Sequence, residues 1–201
     1  MPAKTKGNGR RLVLGSTSSY RRALLARLGI PFEVAAPGVD EAALSGESPA
    51  ATAVRLSEAK ARAVAARYPD AVIIGSDQVA DCDGRPIGKP GDRDTAIRSL
   101  TELSGRTVVF HTGVALVDAA SGRCQRDIVA VTSVFRTLTM SEIETYLDRE
   151  APYDCAGAVK SEALGIVLFD SITSSDPTAL IGLPLIALSR MLRNEGIDPL
   201  Q

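Results

Sequence analysis

Carboxylates at the ends of predicted strands are the first residues in this chain whose types and positions could do chemistry. Asp77 closes the run VIIGSD, whose β-branched start is typical of a buried strand in a parallel sheet. Asp40 and Glu41 follow another predicted strand and lie in a polar loop. A carboxylate in such a position either caps the next element or is a working group of a site. The residues alone leave both interpretations open for Asp77.

Arginines near the start of the first predicted helix indicate a site for an anion. The helix follows a short strand and the small, hydroxyl-rich turn Gly15–Ser19, which includes Ser16. Arg21 lies on the same side of this helix as its apolar leucines, and Arg22 lies at the flank. A strand, a small-residue turn and a helix N-terminus with arginines form a geometry that binds phosphate. An ordinary helix cap with surface arginines explains this segment slightly better when it is taken alone.

Two lysines extend the same pattern. Lys60 falls in the middle of the apolar face of an alanine-rich helix, where an unpaired ammonium group would be costly. A lysine in this position usually extends to the edge of the sheet, which is the alternative to a role in a cleft. Lys89 lies in the turn IGKP, whose glycine and proline would fix its backbone. The acids, Arg21 and these lysines together form a set that suits a polyphosphate with a bound metal. The carboxylate oxygens would hold Mg²⁺ or Mn²⁺, and the positive side chains would neutralise the phosphate oxygens.

The order of elements predicts an α/β fold with a mixed, twisted sheet, flanking helices and two lobes around a cleft. Strands and helices alternate at first, and two long strand-like runs then form a hairpin. A further hairpin turn is predicted at Asp83-Gly84. The predicted strands are 11–15, 32–36, 72–77, 107–117 and 124–135, and the predicted helices are 18–28, 49–68, 92–103, 141–149 and 184–195.

Length, composition and charge exclude several classes of function. The chain has 201 residues, of which 45% are hydrophobic, and its formal net charge is −1. A charge so close to zero gives no general attraction to nucleic acid or to an anionic membrane. Residues 1–10 are predicted to form a flexible basic tail, and residues 11–201 a single domain. No apolar run suits a signal peptide or a membrane helix, so we expect a cytoplasmic protein.

Other catalytic or binding chemistries have weak support in the sequence. The only histidine, His111, lies in a strand-like run, so a Ser-His-Asp triad is poorly supported. The three cysteines are far apart and match no zinc or redox motif. The chain has four tyrosines, four phenylalanines and no tryptophan, which gives no stacking platform for single-stranded nucleic acid.

Several blocks together resemble the Maf family of nucleoside triphosphate pyrophosphatases, which are related in fold to the inosine triphosphate pyrophosphatases. The resemblance covers nearly all of the chain after the tail. The family's opening motif is similar to LVLGSTSSYRRALLARLGIPFEVAAPGVDE, and its later blocks are similar to VIIGSDQV, IGKP, LSGRTVVFHTGVAL and IGLPLIAL. Two small replacements depart from the usual pattern, since Gly15 stands where Ala is usual and Ser19 where many members have Pro.

This resemblance implies hydrolysis of a nucleoside triphosphate between its α- and β-phosphates, which gives a nucleoside monophosphate and pyrophosphate. Asp77 matches the residue assigned as proton acceptor in the family, and it forms the implied site for Mg²⁺ or Mn²⁺ together with Glu41. A catalytic base and a metal ligand that activates water are both open roles for Asp77. The expected partner is the nucleotide, and a homodimer is the family's usual state. The predicted phosphate-binding residues are Ser16, Arg21, Arg22, Lys60 and Lys89.

Three positions distinguish the subgroups of the family. Tyr20 stands where the subgroup acting on dTTP and UTP has Arg, Gln78 where it has Thr, and Glu162 where it has Gln. This set resembles the subgroup that hydrolyses 7-methyl-GTP, which predicts that substrate. A dTTP or UTP pyrophosphatase of the same family is the first alternative. A regulator of cell division that acts on septum formation through a partner is the second.

Overall fold

The computed structural model of the protein describes residues 10–201. The predicted basic tail, residues 1–10, therefore lies outside the described residues except for Arg10. The guanidinium group of Arg10 pairs with the carboxylates of Asp118 and Glu195. These ion pairs attach Arg10, the last residue of the predicted tail, to the folded body.

Seven strands and five α-helices form within residues 10–201. The helices are α1 (Ser19–Ala26), α2 (Pro49–Ala65), α3 (Arg93–Leu103), α4 (Met140–Glu150) and α5 (Leu185–Asn194). The strands are β1 (Arg11–Leu14), β2 (Glu33–Val34), β3 (Ala71–Cys82), β4 (Arg85–Ile87), β5 (Thr107–Asp118), β6 (Cys124–Phe135) and β7 (Phe169–Ser174). Short 3₁₀ turns cover Ala156–Ala158, Leu164–Leu168 and Ala179–Ile181.

The strands form one mixed sheet in the order β2-β1-β3-β5-β6-β7, with β4 paired to β3 outside this path. β1 runs parallel to β2 and β3, and the other neighbours are antiparallel. This architecture confirms the predicted α/β class with a mixed sheet and flanking helices. None of the helices within the described part of the chain has the length and apolar character needed to cross a membrane.

Helices cover both faces of the sheet and enclose two apolar cores. On one face, α2 packs alone over β3 and β5, with Val64 and Ala61 against Ile73 and Val117. The other four helices contribute buried leucines, isoleucines and methionines to a larger core on the opposite face. Their hydrophobic residues recur at steps of three and four, which is why these segments form helices with one buried side. The position of α2 decides which of its side chains reach the site.

The structure corrects two expectations about the strands. β3 does not end at Asp77 but continues to Cys82, because its antiparallel pairing with β5 extends to Asp81. β7 was not predicted at all. It is an edge strand of mixed polar and apolar residues, and among residues 10–201 it pairs only with β6. Its backbone partners therefore decide its conformation more than its hydrophobic pattern does. The predicted turn at Asp83-Gly84 is confirmed, with φ angles of 53° and 80°.

The approach of α2 to the sheet depends on two glycines. A Cβ atom added to Gly75 of β3 would lie 2.1 Å from the carbonyl oxygen of Ser57 and 2.7 Å from the backbone nitrogen of Ala61. A Cβ atom added to Gly113 of β5 would lie 2.4 Å from the carbonyl oxygen of Ala53. Since these neighbours are backbone atoms, α2 would have to move away from the sheet to admit any side chain.

We expect Gly75→Ala to destabilise the fold by about 1–3 kcal/mol or more, because the added methyl group overpacks the contact between α2 and β3. Gly88→Ala is the matched control, since a Cβ atom at Gly88 would meet no atom within 4 Å. The free energy of unfolding from urea titration measures both effects. Equal stabilities of the two variants would contradict the role of Gly75 in setting the helix position.

Candidate active site

A pocket of about 540 Å³ opens beside the middle of β3. The turn before α1, the loop before α2 and the inward face of α2 line part of this pocket. The rest of the lining belongs to β3, β4 and the loops that follow β4 and α4. Predicted site residues in its lining are Ser16, Tyr20, Arg21, Glu41, Lys60, Asp77, Gln78 and Lys89.

The N-terminus of α1 supplies the first wall of the pocket. Ser18 caps the helix, and its side-chain oxygen accepts a hydrogen bond from the backbone N–H of Arg21 at 3.3 Å. The Ser16 hydroxyl is buried and accepts from the backbone N–H of Ser18 at 3.2 Å. Backbone N–H groups and the helix dipole at such an end attract phosphate. The predicted anion site at this turn therefore has the geometry that it requires.

Arg21 is held at the pocket by a contact with a segment that is distant in sequence. Its Nε donates a hydrogen bond of 2.8 Å to the carbonyl oxygen of Gly182, in the loop before α5. Burial lowers the pKa of Arg21, and the negative charges of Asp77 and Glu41 partly offset this effect. The guanidinium group stays charged, as arginine does in proteins, and can meet phosphate oxygens in the pocket.

Lys60 lies between two carboxylates at the floor of the pocket. It is 4% exposed, and its Nζ lies 2.6 Å from Oδ1 of Asp77 and 2.8 Å from Oε1 of Glu41. Asp77 comes from β3 and Glu41 from the loop before α2, so the ammonium group joins the sheet to that loop. This contact explains how a lysine can occupy the apolar face of α2, because its charge is compensated by two partners.

Glu41 differs from Asp77 in its exposure to solvent. The Glu41 side chain is 58% exposed, and that of Asp77 is 9% exposed. Burial raises the pKa of Glu41, but the hydrogen bond to Lys60 and the charges of Lys60, Lys89 and Arg21 outweigh it and hold the pKa below its usual value. Glu41 is therefore ionised at neutral pH and faces the same pocket as Asp77.

These two carboxylates could hold a divalent cation. Mg²⁺ in nucleotide sites takes one or two carboxylates and completes its shell with substrate phosphates and water. Asp77 and Glu41 provide such a pair of hard oxygen donors at the floor of the pocket. Within residues 10–201, no cluster of three or more His, Cys, Asp or Glu side chains has the arrangement of a metal site.

A side pocket of about 90 Å³ adjoins the main pocket and brings the three predicted specificity residues together. Tyr20, Gln78 and Glu162 all contribute to its wall. Lys89 lines both spaces, and Glu162 is exposed at the outer edge. The residues predicted to bind phosphate and those predicted to select the base are thus neighbours, as a single nucleotide would require.

Gln78 is oriented by its amide nitrogen. This nitrogen donates hydrogen bonds to Thr112 Oγ1 at 3.0 Å and to the carbonyl oxygens of Ala179 and Leu180 at 2.9 and 3.0 Å. Because the nitrogen contacts the protein, the amide oxygen is the group of Gln78 that can accept a hydrogen bond from a ligand. Neighbouring strand residues point to opposite faces, so Asp77 and Gln78 serve different parts of the pocket.

Two other residues from the sequence analysis lie outside this arrangement. Arg22, predicted to bind phosphate, is exposed on α1 and does not line either space. The helical rotation of one residue from Arg21 turns its side chain away from the pocket. His111 pairs with Asp81, whose Oδ2 lies 3.3 Å from its Nε2, and also lies outside the lining.

Sequence reasoning missed Asp154 and Cys155, which the structure places in the wall of the side pocket. Asp154 resembled any loop acid, and Cys155 matched no motif. Both follow α4 along the chain, and Tyr20 lies more than a hundred residues before them. No local pattern could have indicated this contact, because it depends on the loop after α4 folding back to α1.

The fold and the site together define a class of protein: a mixed α/β protein whose pocket combines cations, a helix N-terminus and paired carboxylates for a phosphorylated ligand. The chain belongs to the Maf family, since the sequence model described as Maf-like protein matches residues 11–195. This match confirms the resemblance found in the sequence.

Three relatives are 56% or 57% identical to the chain over the residues that they match. A protein of Albidiferax ferrireducens named 7-methyl-GTP pyrophosphatase is 56% identical over 191 residues, which are 95% of this chain and 96% of that protein. Proteins of the same name from a Polaromonas species and from Aromatoleum aromaticum are each 57% identical. Those matches cover 94% and 93% of this chain, and 86% and 96% of the relatives.

We expect Lys60→Met to lower the free energy of unfolding by about 2 kcal/mol or more, because it leaves the Asp77 carboxylate buried without its partner. The double variant Lys60→Met/Asp77→Asn should recover part of this loss, with a coupling energy of about 1 kcal/mol or more in a double-mutant cycle. Urea titrations of the wild type, both single variants and the double variant measure it.

Arg62→Met is the matched control on the same helix. Arg62 forms an exposed pair with Glu58, so its removal should change stability by less than about 1 kcal/mol. Independent, additive effects of the Lys60 and Asp77 substitutions would show that their contact does not stabilise the fold.

Proposed function

We propose that the protein is a nucleoside triphosphate pyrophosphatase that hydrolyses 7-methyl-GTP to 7-methyl-GMP and pyrophosphate. The observation that carries this proposal is the placement of Lys60, Asp77 and Glu41 at the floor of a pocket that adjoins a side pocket lined by Tyr20 and Glu162. The names of the relatives support the same activity and substrate.

The phosphate end of the pocket accounts for the binding of the triphosphate. The N-terminus of α1 with Ser16 and Arg21 faces the pocket from one side, and Lys89 faces it from the other. These groups neutralise phosphate oxygens and orient the chain of phosphates over Asp77. Fixed positive groups around the reacting phosphate also stabilise the charge that develops in the transition state.

Asp77 acts on the attacking water in this proposal. The water oxygen forms a bond to the α-phosphorus while the bond from that phosphorus to the bridging oxygen breaks, so that pyrophosphate leaves with the bridging oxygen. The Asp77 carboxylate accepts the proton that the water releases. Lys60 orients this carboxylate through its contact of 2.6 Å. A divalent cation held by Asp77 and Glu41 would supply further positive charge to the phosphates when bound.

The base end of the pocket accounts for the choice of substrate. Methylation at N7 gives guanine a positive charge, which the Glu162 carboxylate favours and an arginine at position 20 would oppose. Glu162 can accept hydrogen bonds from the N1–H and amino group of the base, and the amide oxygen of Gln78 offers another acceptor. Tyr20 presents an aromatic ring, which attracts a cationic base by about 0.5–2 kcal/mol.

A homodimer and a cytoplasmic location stay predictions from the sequence, as does the use of Mg²⁺ or Mn²⁺.

Removal of divalent cations with a chelator should abolish turnover, and adding back Mg²⁺ or Mn²⁺ should restore it, because the phosphate charge would otherwise be only partly neutralised.

We expect Asp77→Asn to reduce kcat by about 100-fold or more, since it removes the proton acceptor while keeping the side chain's shape. Pyrophosphate release from 7-methyl-GTP measures the rate, and circular dichroism checks the fold. Asp81→Asn is the matched control, because Asp81 lies on the same strand but does not line the pocket. A folded Asp77→Asn protein with nearly normal turnover would refute the assigned role.

The substrate is tested by kcat/KM for 7-methyl-GTP, GTP, dTTP and UTP. We expect wild type to prefer 7-methyl-GTP, and Glu162→Gln to reduce that preference, because an uncharged amide loses the attraction to the cationic base. The triple variant Tyr20→Arg/Gln78→Thr/Glu162→Gln should shift activity toward the pyrimidine nucleotides. If wild type hydrolyses dTTP or UTP as well as 7-methyl-GTP, the substrate assignment is wrong and the first alternative holds.

A further inference from the structure

The loop after α4 contributes a second carboxylate to the base end of the pocket. The hydroxyl group of Tyr20 donates a hydrogen bond of 3.5 Å to Oδ1 of Asp154. Cys155 Sγ lies 3.7 Å from the same hydroxyl oxygen and 3.5 Å from the same carboxylate oxygen. These three side chains form a closed triangle of contacts on the wall that Tyr20 shares with Glu162.

The backbone holds this loop in a defined position. The carbonyl oxygen of Tyr153 accepts a hydrogen bond from Gly91 N at 2.9 Å, and Gly157 N donates to the carbonyl oxygen of Gly88 at 3.1 Å. These bonds join the loop to both sides of Lys89. Asp154 is thus placed between the phosphate end and the base end, and it lines both spaces.

The C-terminal end of the loop is fixed by contacts with the protein core. Ala158 adopts a left-handed conformation with a φ of 58°, which is uncommon for a residue with a side chain. Its carbonyl oxygen accepts a hydrogen bond of 3.0 Å from the buried hydroxyl of Tyr146 on α4. The same hydroxyl oxygen accepts from Lys160 N at 3.1 Å. Surrounding contacts therefore fix the path of the loop, as such a conformation requires.

The charges of Asp154 and Glu162 act on the same small region. Burial is the largest cause that raises the pKa of Tyr20, and the contact with Cys155 and the negative charges of Asp154 and Glu162 raise it further. The Tyr20 hydroxyl consequently stays protonated and continues to donate to Asp154. Arg21 and Lys89 line the side pocket as well as the main pocket, so positive charges also border this region.

We propose that Asp154 is a specificity residue for the base: it positions Tyr20 and, with Glu162, supplies the negative charge that selects cationic 7-methylguanine over neutral guanine. This inference rests on the proposed function, because it assumes that the same active site hydrolyses both 7-methyl-GTP and GTP. Two carboxylates on one wall attract a cationic ring more strongly than one does, while a neutral ring gains little from either.

Kinetics of the full-length protein with 7-methyl-GTP and GTP test the inference, at a pH at which the methylated base keeps its positive charge. Asp154→Asn retains an oxygen that can accept from Tyr20 but removes the charge. We expect the ratio of kcat/KM for 7-methyl-GTP to that for GTP to fall about five- to tenfold in this variant. Added salt should reduce the ratio more in wild type than in the variant, because screening acts on the lost attraction.

Tyr20→Phe and Asp170→Asn are the matched comparisons. Tyr20→Phe removes the hydroxyl group and its contact with Asp154 but leaves both carboxylates, so its ratio should fall less than that of Asp154→Asn. Asp170→Asn removes an exposed carboxylate of β7 that lines neither space, and it should leave both substrates unaffected. A ratio that falls as far in Tyr20→Phe as in Asp154→Asn would assign the discrimination to the hydroxyl group and overturn the role of the charge.

The wild-type measurement separates the two proposals. If wild type shows no preference for 7-methyl-GTP, the proposed substrate fails and the role of Asp154 fails with it. If wild type shows the preference and Asp154→Asn keeps it, or loses both activities by the same factor, the proposed function stands and the inference about Asp154 is wrong.

Discussion

The contact of one buried ammonium group with two carboxylates governs the arrangement of the site. Lys60 lies on the apolar face of α2, where its charge must be compensated within the protein. Asp77 provides one partner from the sheet, and Glu41 provides the other from the loop before α2. These contacts are possible because Gly75 and Gly113 let the backbone of α2 approach the strands closely. The packing of a single helix thus sets the floor of the pocket.

The position of the pocket follows from where β3 loses its pairing with β1. β3 pairs with β1 only as far as Ile74, and it then continues with β5 beyond the end of β1. Asp77 and Gln78 lie in this extension, where one neighbour of the strand is missing on the β1 side. Because successive side chains point to opposite faces, Asp77 meets α2 while Gln78 meets the turn near Ala179. Adjacent residues of one strand therefore serve two parts of the pocket.

Charged side chains of both signs line the two adjoining spaces. Lys60 lines the main pocket and Glu162 lines the side pocket, while Arg21, Lys89 and Asp154 line both. A nucleotide with anionic phosphates and a cationic base can use charges of both signs, whereas a neutral base gains little from the carboxylates. This local arrangement explains how a chain with a net charge of −1 can bind a polyanion, because local fields act in the pocket and not the total charge.

The sequence by itself determined the elements whose patterns are local and strong. Alternating and helical hydrophobic periods predicted most strands and helices, and the lysine on an apolar face correctly indicated an inward position for Lys60. The match to the Maf family followed from blocks of residues that are contiguous in the chain. These features were predictable because they depend on residues that are near one another in sequence.

Only the tertiary structure decided the features that depend on distant segments. It extended β3 past Asp77 through pairing with β5, added β7 at the edge of the sheet, and left Arg22 outside the pocket. It also brought Asp154 to Tyr20, although 134 positions separate them. Contacts of this kind are set by how the helices and loops pack around the sheet, and neither propensity nor spacing along the chain carries that information.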